Sequence, residues 1–455
     1  MQVTMSGMGA QIPQRLERLP ITGYQKGIAL SIVLAWFLDC VDLGSMMFML
    51  ATLGEEFGLD KVQMGYLGSC SFAGMILGAF VSGIYADKIG RKRIIQFAML
   101  TWGSGGFLSA IAWSTPSLFI FRFILGVGLG AQLAAAHAML PEFLPKDVRG
   151  KWVALMEGVA PIGFMAAGLI TYFILPNFGW RWVFVVQSIP ALWLFGIGKF
   201  VPESPRWLES VGRVEEAEKI TAMMEEKVQK RYGKPLPPID MSVVADIPHA
   251  PQKASLKDLF AGIYLKRTIM LWILWPAIQF AFYGVNIWLG ALMVAKGFEI
   301  VKSIGFVLTI QTGAIPGFLL ATYLLEKIGR KPVVSISILF IGVSSYFYGQ
   351  TNDLTQLYVW GWIMQFFTFA MWSSVYAYTP ELYPTRIRAT GCGLVSAMSR
   401  VGGMLGPYVV GAVLAARGST AVFTMASIIF VIAASSVIFL GPETKGKTLE
   451  EISNS

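Results

Sequence analysis

The chain has 455 residues, of which 36 are lysine or arginine, 27 are aspartate or glutamate and 55% are hydrophobic. The charged share of 14% lies far below the roughly 25% of soluble domains, and the mean hydropathy is +0.61. This balance excludes a water-soluble globular protein and a disordered chain. The three cysteines lie in apolar runs, which excludes a disulfide scaffold.

Long apolar windows predict membrane-spanning helices. A bilayer core about 30 Å thick needs about 20 apolar residues per helix, and the chain contains twelve such windows. The residues before the first window are too numerous and too mixed for a signal peptide, so we expect it to remain as a span. The predicted spans cover residues 28–51, 62–86, 94–113, 117–140, 152–175, 181–201, 268–292, 301–325, 332–349, 355–379, 390–414 and 420–441.

Positive charges predict the orientation, because short basic loops stay on the cytoplasmic side. Most lysines and arginines lie in loops on the side of both termini. We therefore expect both termini in the cytoplasm and a multi-pass protein of the cytoplasmic (inner) cell membrane. The net charge of +9 then reflects topology, and no nucleic-acid partner is expected. Only five lysines and arginines lie in loops on the side opposite the termini: Lys61, Arg181, Lys296, Lys302 and Arg417.

One long polar segment divides the spans into six and six. Glu215 lies four residues before Lys219, the favourable helical ion-pair spacing, and predicts a solvated helix over 212–231. The proline-rich run 234–240 breaks this helix and predicts a linker. The predicted organisation is a six-helix half over 1–201, a cytoplasmic linker with an amphipathic helix over 202–267 and a six-helix half over 268–455.

Three motifs at the cytoplasmic ends of spans occur twice. Two of the pairs share an offset of 239 residues and the third has an offset of 240. One shared register for independent motifs indicates that the halves are structural repeats. The pairs are Gly83–Lys92 with Thr322–Lys331, Pro141–Arg149 with Pro380–Arg388, and Pro202–Ser204 with Pro442–Thr444.

These motifs resemble those of the major facilitator superfamily, whose transporters contain two six-helix halves. The Asp-Lys-x-Gly-Arg-Lys pattern within Gly83–Lys92 resembles the loop signature of that superfamily, and Arg122–Gly130 resembles its fourth-helix motif. Pro202–Leu208 and Pro442–Gly446 resemble the sugar-porter and organic-ion branch. The resemblance implies an all-α membrane protein with the major facilitator fold. It further implies twelve transmembrane helices in two six-helix pseudo-repeats with both termini cytoplasmic, and a monomer.

Charged residues of the repeated motifs predict a cytoplasmic gate. We expect ion pairs between the halves that hold the outward-open state and break as the halves rock. The alternative is that these residues only fix topology, with each pair contributing less than about 1 kcal/mol. The predicted gate residues are Asp87, Arg91, Glu142, Arg149, Glu203, Glu326, Arg330, Glu381, Arg388 and Glu443.

Ionisable residues near the membrane midplane predict a binding site. Placing one charged side chain there costs at least about 2.5 kcal/mol, so such residues usually serve a function. Asp39 and Asp42 lie in the first predicted span and Arg400 in the eleventh. The planar guanidinium of Arg400 matches a carboxylate, which predicts an anionic substrate. A desolvated aspartate takes up a proton more readily, which predicts proton coupling through Asp39 or Asp42. The alternative is a permanent ion pair between Arg400 and one aspartate.

Amide and aromatic side chains at similar depth predict the walls of this site. A flat aromatic substrate can stack on the rings while an amide bonds its ring nitrogen or carboxylate. The alternative is that most of these rings face lipid or pack between helices. For His137 we expect a packing role, with a proton relay as the alternative, and we expect Glu157 to join the cytoplasmic charges. The predicted substrate contacts besides Arg400 are Trp36, Gln132, Gln279, Tyr283, Gln311, Trp372 and Tyr376.

Three runs of sequence resemble the NiaP-type niacin transporters. They are Leu38–Gly44 with its two aspartates, Tyr283–Leu289, and the long run Tyr376–Pro407. The resemblance implies proton-coupled uptake of nicotinate or a similar small aromatic carboxylate. A benzoate-type symporter, a sugar porter, an organic-cation porter and a non-transporting sensor remain alternatives, as do facilitated transport and exchange. No catalytic residue, metal or cofactor is expected.

Overall fold

A computed structural model describes residues 12–239 and 256–446. It does not describe seven side chains within these ranges, those of Asp87, Lys146, Leu256, Lys257, Thr385, Arg386 and Ala389. The described residues are helical and contain no strand. In the first described range, 12–239, the α-helices are α1 (Ile12–Glu17), α2 (Gly23–Glu56), α3 (Lys61–Ile89), α4 (Arg91–Ala110), α5 (Thr115–Met139), α6 (Lys146–Gly158), α7 (Ala160–Phe178), α8 (Trp180–Ser188), α9 (Trp193–Phe200), α10 (Pro205–Ser210) and α11 (Val214–Tyr232).

The second part of the chain repeats this pattern of long apolar helices. Each of the twelve predicted windows overlaps a helix. Among the described residues, nine helical segments are long and apolar enough to cross a bilayer. The helices after the linker are α12 (Gly262–Ala295), α13 (Ile300–Gln311), α14 (Ala314–Ile328), α15 (Arg330–Gln350), α16 (Leu354–Glu381) and α17 (Thr385–Leu440).

Local sequence explains where several helices begin and where α17 breaks. Thr22 and Asp60 begin α2 and α3 with reciprocal capping boxes, which satisfy backbone N–H groups at the helix start. Gly418 has a φ of 79°, a left-handed conformation that a side chain disfavours, and it joins two helices within α17. The break falls between the predicted spans 390–414 and 420–441.

The sequence repeat is also a repeat of local geometry. Gly90 and Gly329 precede α4 and α15 with φ values of 102° and 103°. The carboxylate of Glu203 accepts a hydrogen bond from the backbone N–H of Lys92 at 3.1 Å. In the second half the carboxylate of Glu443 accepts one from the backbone N–H of Arg330 at 3.0 Å. In both halves a distant acid therefore satisfies the start of a helix, where the helix dipole favours negative charge.

The N-terminal helix α1 is held on the linker helix α11 by ion pairs. Arg15 and Arg18 each lie 2.6 Å from the carboxylate of Glu225. Burial of Glu225 opposes its ionisation, but the hydrogen bonds from Arg15 and Arg18 outweigh this effect and lower its pKa. The helix α11, which lies between the two halves in the sequence, is thus bound to the N-terminal segment.

The two halves touch at the helix ends that lie far from the repeated basic loops. Tyr66, near the beginning of α3, stacks on Tyr408 of α17 with ring centroids 4.7 Å apart. A Cβ atom added at Gly65 would lie 2.9 Å from the carbonyl oxygen of Pro407. Glycine therefore permits backbone contact between the halves here.

Candidate functional site

A cavity of about 590 Å³ lies between the halves. Its volume is in the range of small-molecule sites, and its walls are mostly apolar and aromatic with a few polar groups. Helices α2, α5 and α6 contribute Trp36, His137 and Glu157, respectively. The opposite wall includes Tyr376 and Arg400 from α16 and α17.

Most of the side chains predicted to contact substrate lie in this cavity. They come from α2, α12, α16 and α17, which the sequence places far apart. Their assembly is the geometry that a site between two halves requires. The predicted residues that line the cavity are Trp36, Gln279, Tyr283, Trp372, Tyr376 and Arg400.

Gln132 and Gln311 lie outside the cavity lining. Gln132 is fully buried, accepts a hydrogen bond from Trp102 Nε1 at 2.8 Å and donates one to the carbonyl of Ala35 at 3.0 Å. Gln311 is also fully buried, and its amide has no hydrogen-bond partner among the described residues. In this conformation Gln132 holds helices together rather than facing the cavity.

Arg400 lines the cavity and forms no ion pair with any described residue. It is partly buried among aromatic rings, and the described carboxylate in the same lining, that of Glu157, is bonded to His137. A guanidinium that has no direct ion-pair partner among the described residues favours an anionic ligand over a neutral one. The guanidinium can bind both oxygens of one carboxylate at once.

The aromatic wall near Arg400 is a connected cluster of rings. The ring centroids of Trp372 and Tyr376 lie 5.8 Å apart, and those of Trp275 and Tyr376 lie 5.3 Å apart. Phe282 packs edge-on against Trp372 at 5.3 Å. Sequence reasoning missed Trp275, although it lies one helical turn before Gln279 on α12 and shares its face. Flat faces of this kind suit an aromatic ring as ligand.

Asp39 and Asp42 are buried in α2 and do not belong to the cavity lining. Asp42 Oδ2 lies 4.0 Å from Arg122 Nη1, within the first half. Neither carboxylate oxygen of Asp39 has a hydrogen-bond partner among the described residues. The structure therefore places Asp42 beside Arg122, and not beside Arg400 as the alternative interpretation required. An arginine inside the fourth predicted span was the signal for this pair.

His137 and Glu157 form a pair in the cavity wall. The Nε2 atom of His137 lies 2.5 Å from Glu157 Oε1, and its Nδ1 lies 2.8 Å from the carbonyl oxygen of Leu133. The ring of Trp36 packs edge-on against the imidazole at 5.3 Å. Glu157 therefore pairs with His137. The sequence-based expectation that it joins the cytoplasmic charges is wrong.

The predicted gate residues form ion pairs within each half. Arg91 pairs with Glu142 in the first half, and Arg330 Nε lies 3.2 Å from Glu381 at the equivalent place in the second half. Arg330 and Glu381 each lie 239 residues after Arg91 and Glu142, which is the offset of the sequence repeat. Every ion pair that the structure describes for the predicted gate residues joins groups on the same side of the linker.

The remaining gate residues bind within their own half as well. Arg149 lies 2.6 Å from Glu17 at the end of α1. Arg388 Nε donates to the carbonyl oxygen of Tyr383 at 3.1 Å, and Glu326 lies 3.5 Å from Arg330. The side chain of Asp87 lies outside the described residues.

Comparison with known proteins gives concordant results. Residues 24–455 match the family model described as "sugar (and other) transporter". The niacin transporter NiaP of Acinetobacter baylyi is 36% identical over 439 residues, which cover 96% of this chain and 98% of that protein. The NiaP protein of Bacillus subtilis is 33% identical over 418 residues, covering 92% and 96%. A partially occluded inward-open structure of the xylose transporter XylE from E. coli has a TM-score of 0.77 at 21% identity, covering 94% and 100%.

Proposed function

Since the chain belongs to the sugar (and other) transporter family of the major facilitator superfamily, we propose that it takes up nicotinate or a similar small aromatic carboxylate by alternating access. The observation that carries the proposal is Arg400, a cation without a described ion pair in an aromatic cavity between the halves. A neutral sugar would leave the guanidinium without a direct ion-pair partner. An organic cation would be repelled by it.

In the proposed complex the carboxylate of the substrate binds the guanidinium of Arg400. The ring lies against Trp372, Tyr376 and Tyr283, and the amide of Gln279 donates to or accepts from a polar ring atom. These five side chains line one cavity, which supports their joint action. Burying a carboxylate on a bidentate arginine and a ring on aromatic faces uses both parts of the ligand.

The proposed topology has twelve spans, both termini in the cytoplasm and a location in the inner cell membrane. The division into halves 1–201 and 268–455, with the linker 202–267 between them, is part of the proposal. Support comes from Gly418, which divides α17 into two helices, and from the basic loops on the side of the termini. The proposed oligomeric state is a monomer.

With this topology the Tyr66–Tyr408 contact lies on the external side, and the cavity faces the cytoplasm. We propose that the charged motifs exchange partners during transport. Arg91 with Glu142 and Arg330 with Glu381 are paired within their halves in this conformation. As the halves rock, some of these groups turn to partners across the interface and hold the outward-open state.

Asp39 and Asp42 are the proposed proton carriers of the first half. Both are buried, and the carboxylate of Asp39 has no hydrogen-bond donor among the described residues. An unpartnered buried carboxylate is far less costly when it carries a proton. Asp42 stands beside Arg122, so gain or loss of a proton would change the charge of that pair.

Uptake of labelled nicotinate into proteoliposomes tests this function, with and without an inward proton gradient. We expect saturable uptake that the gradient drives above equilibrium and that excess benzoate inhibits more strongly than glucose or choline. Uptake that is indifferent to the gradient would remove proton coupling and keep the substrate. Strong inhibition by glucose or choline and none by benzoate would refute anion recognition.

A further inference from the structure

The contacts of His137 require a bound proton between its ring and Glu157. The backbone carbonyl of Leu133 can only accept, so Nδ1 of His137 carries a hydrogen at its 2.8 Å contact. Nε2 then faces Glu157 Oε1 at 2.5 Å. Two lone pairs cannot share that distance, so one proton lies between the atoms. It makes the pair either an imidazolium with a carboxylate or a neutral imidazole with a carboxylic acid.

We propose that the His137–Glu157 pair is the proton-binding site that faces the substrate, so that one proton and one anion occupy the cavity together. The inference rests on the proposed function, and it identifies the group that binds the proton next to the substrate anion. It leaves Asp39 and Asp42 the role of carrying protons through the first half. The pair and Arg400 lie in the walls of the same cavity, on opposite sides of the linker in sequence.

Arg400 balances the charge of the His137–Glu157 pair, because the other groups in the cavity lining carry no charge near pH 7. The titratable groups that share the cavity lining with it are the thiols of Cys40 on α2 and Cys392 on α17, the phenols of Tyr283 on α12 and Tyr376 on α16, and Arg400 on α17. The thiols and the phenols are neutral near pH 7. The facing side chains of α3 and α14 do not titrate; they are Phe72, Met75 and Phe318.

Charge balance in the cavity then couples the proton to the anion. Without proton or substrate, Arg400 and the anionic pair sum to zero. With both bound, the neutral pair, Arg400 and the substrate anion again sum to zero. A proton alone leaves one positive charge and an anion alone one negative charge. Because net charge is costly in a closed apolar cavity, the empty and the doubly loaded forms are the ones able to change sides.

The test is the number of protons taken up when purified full-length protein binds nicotinate, followed with a pH indicator in weak buffer. At a pH where the pair is unloaded, we expect about one proton per nicotinate for the wild type. Glu157→Gln should bind nicotinate with no proton uptake, because an amide cannot hold the shared proton.

Glu299→Gln is the matched control, since Glu299 is an exposed acid paired with Lys302 at the opposite membrane side from the termini in the proposed topology. It should behave as the wild type. Proton uptake by Glu157→Gln equal to that of the wild type would overturn the inference and leave the proposed function intact. Binding of neither nicotinate nor 4-hydroxybenzoate by the wild type would overturn both.

A second variant keeps the inference testable if Glu157→Gln does not fold. His137→Gln preserves a hydrogen-bonding side chain but removes the imidazole that shares the proton with Glu157. It should shift the pH dependence of nicotinate affinity by at least about one pH unit relative to the wild type. An unchanged pH dependence in a folded His137→Gln protein would contradict the proposal.

Discussion

Replacing Arg400 by alanine should weaken nicotinate far more than nicotinamide, its neutral analogue. Arg400 has no described ion pair, so the variant loses the interaction with substrate without freeing a protein carboxylate. Two opposite charges about 4 Å apart interact by about 4 kcal/mol at an effective dielectric constant near 20. Truncating one partner of a buried charge pair costs about 2–5 kcal/mol, which corresponds to about 30-fold to 4,000-fold in Kd.

Equilibrium binding to the purified protein measures this difference. We expect the Kd for nicotinate to rise within that range in Arg400→Ala and the Kd for nicotinamide to change by less than about tenfold. Arg400→Lys keeps the charge but loses the bidentate geometry, so its effect on nicotinate should be intermediate. Arg417→Ala is the control, because Arg417 is an exposed arginine on the same helix, α17.

The comparison of the two ligands guards against a trivial loss of folding. A variant that is merely destabilised would lose both ligands equally. Equal loss of nicotinate and nicotinamide affinity, in a protein that retains its unfolding temperature, would refute the idea that Arg400 recognises the carboxylate. Unchanged nicotinate affinity would refute it as well.

Three further outcomes follow from other parts of the structure. Gly65→Leu should separate the halves where they touch, seen as a longer spin-label distance between the start of α3 and the middle of α17. Trp372→Ala should weaken nicotinate by about 2-fold to 12-fold through lost ring stacking, with the exposed Trp113→Ala as control. The pKa of Glu225 is lowered in the folded protein, so its ion pairs stabilise α1 above its ordinary value of 4.5 and are lost as the pH falls below it. The protection factors of the Ile12–Glu17 amides, which are exchange rates corrected for their intrinsic pH dependence, should therefore fall in acid, and Glu225→Gln should show low protection factors at neutral pH.

The sequence predicted the long apolar helices and the repeat because both depend on local composition. An apolar run of about 20 residues is a helix wherever it lies in a membrane, since the bilayer leaves no other way to satisfy the backbone. The repeated motif predicted equal geometry at Gly90 and Gly329, which the structure contains. The predicted spans 390–414 and 420–441 form one long helix that is broken at Gly418.

The pairing of buried charges could not be predicted in the same way. Membrane helices are apolar on most faces, so the sequence does not specify which side of α2 faces the cavity. Asp42 turns toward Arg122 in the first half, and Cys40 turns toward the cavity. Likewise, His137 and Glu157 are 20 residues apart on different helices, and only the packing of α5 against the following segment brings them together.

Residue depth alone therefore identified Arg400 but not its surroundings. Depth along a helix follows from the 1.5 Å rise per residue, which is independent of rotation about the axis. Rotation decides that Gln279 lines the cavity while Gln132 bonds to Trp102 and the backbone of Ala35. Those contacts form between helices and leave no pattern within one helix.

Exchange of labelled nicotinate across proteoliposome membranes, without any ion gradient, tests the central claim most directly. It requires only that the substrate binds the cavity and that the halves rock with it bound. The account predicts saturable exchange by the wild type that benzoate inhibits and that Arg400→Ala abolishes. No exchange of nicotinate, or exchange that proceeds normally in Arg400→Ala, would contradict it.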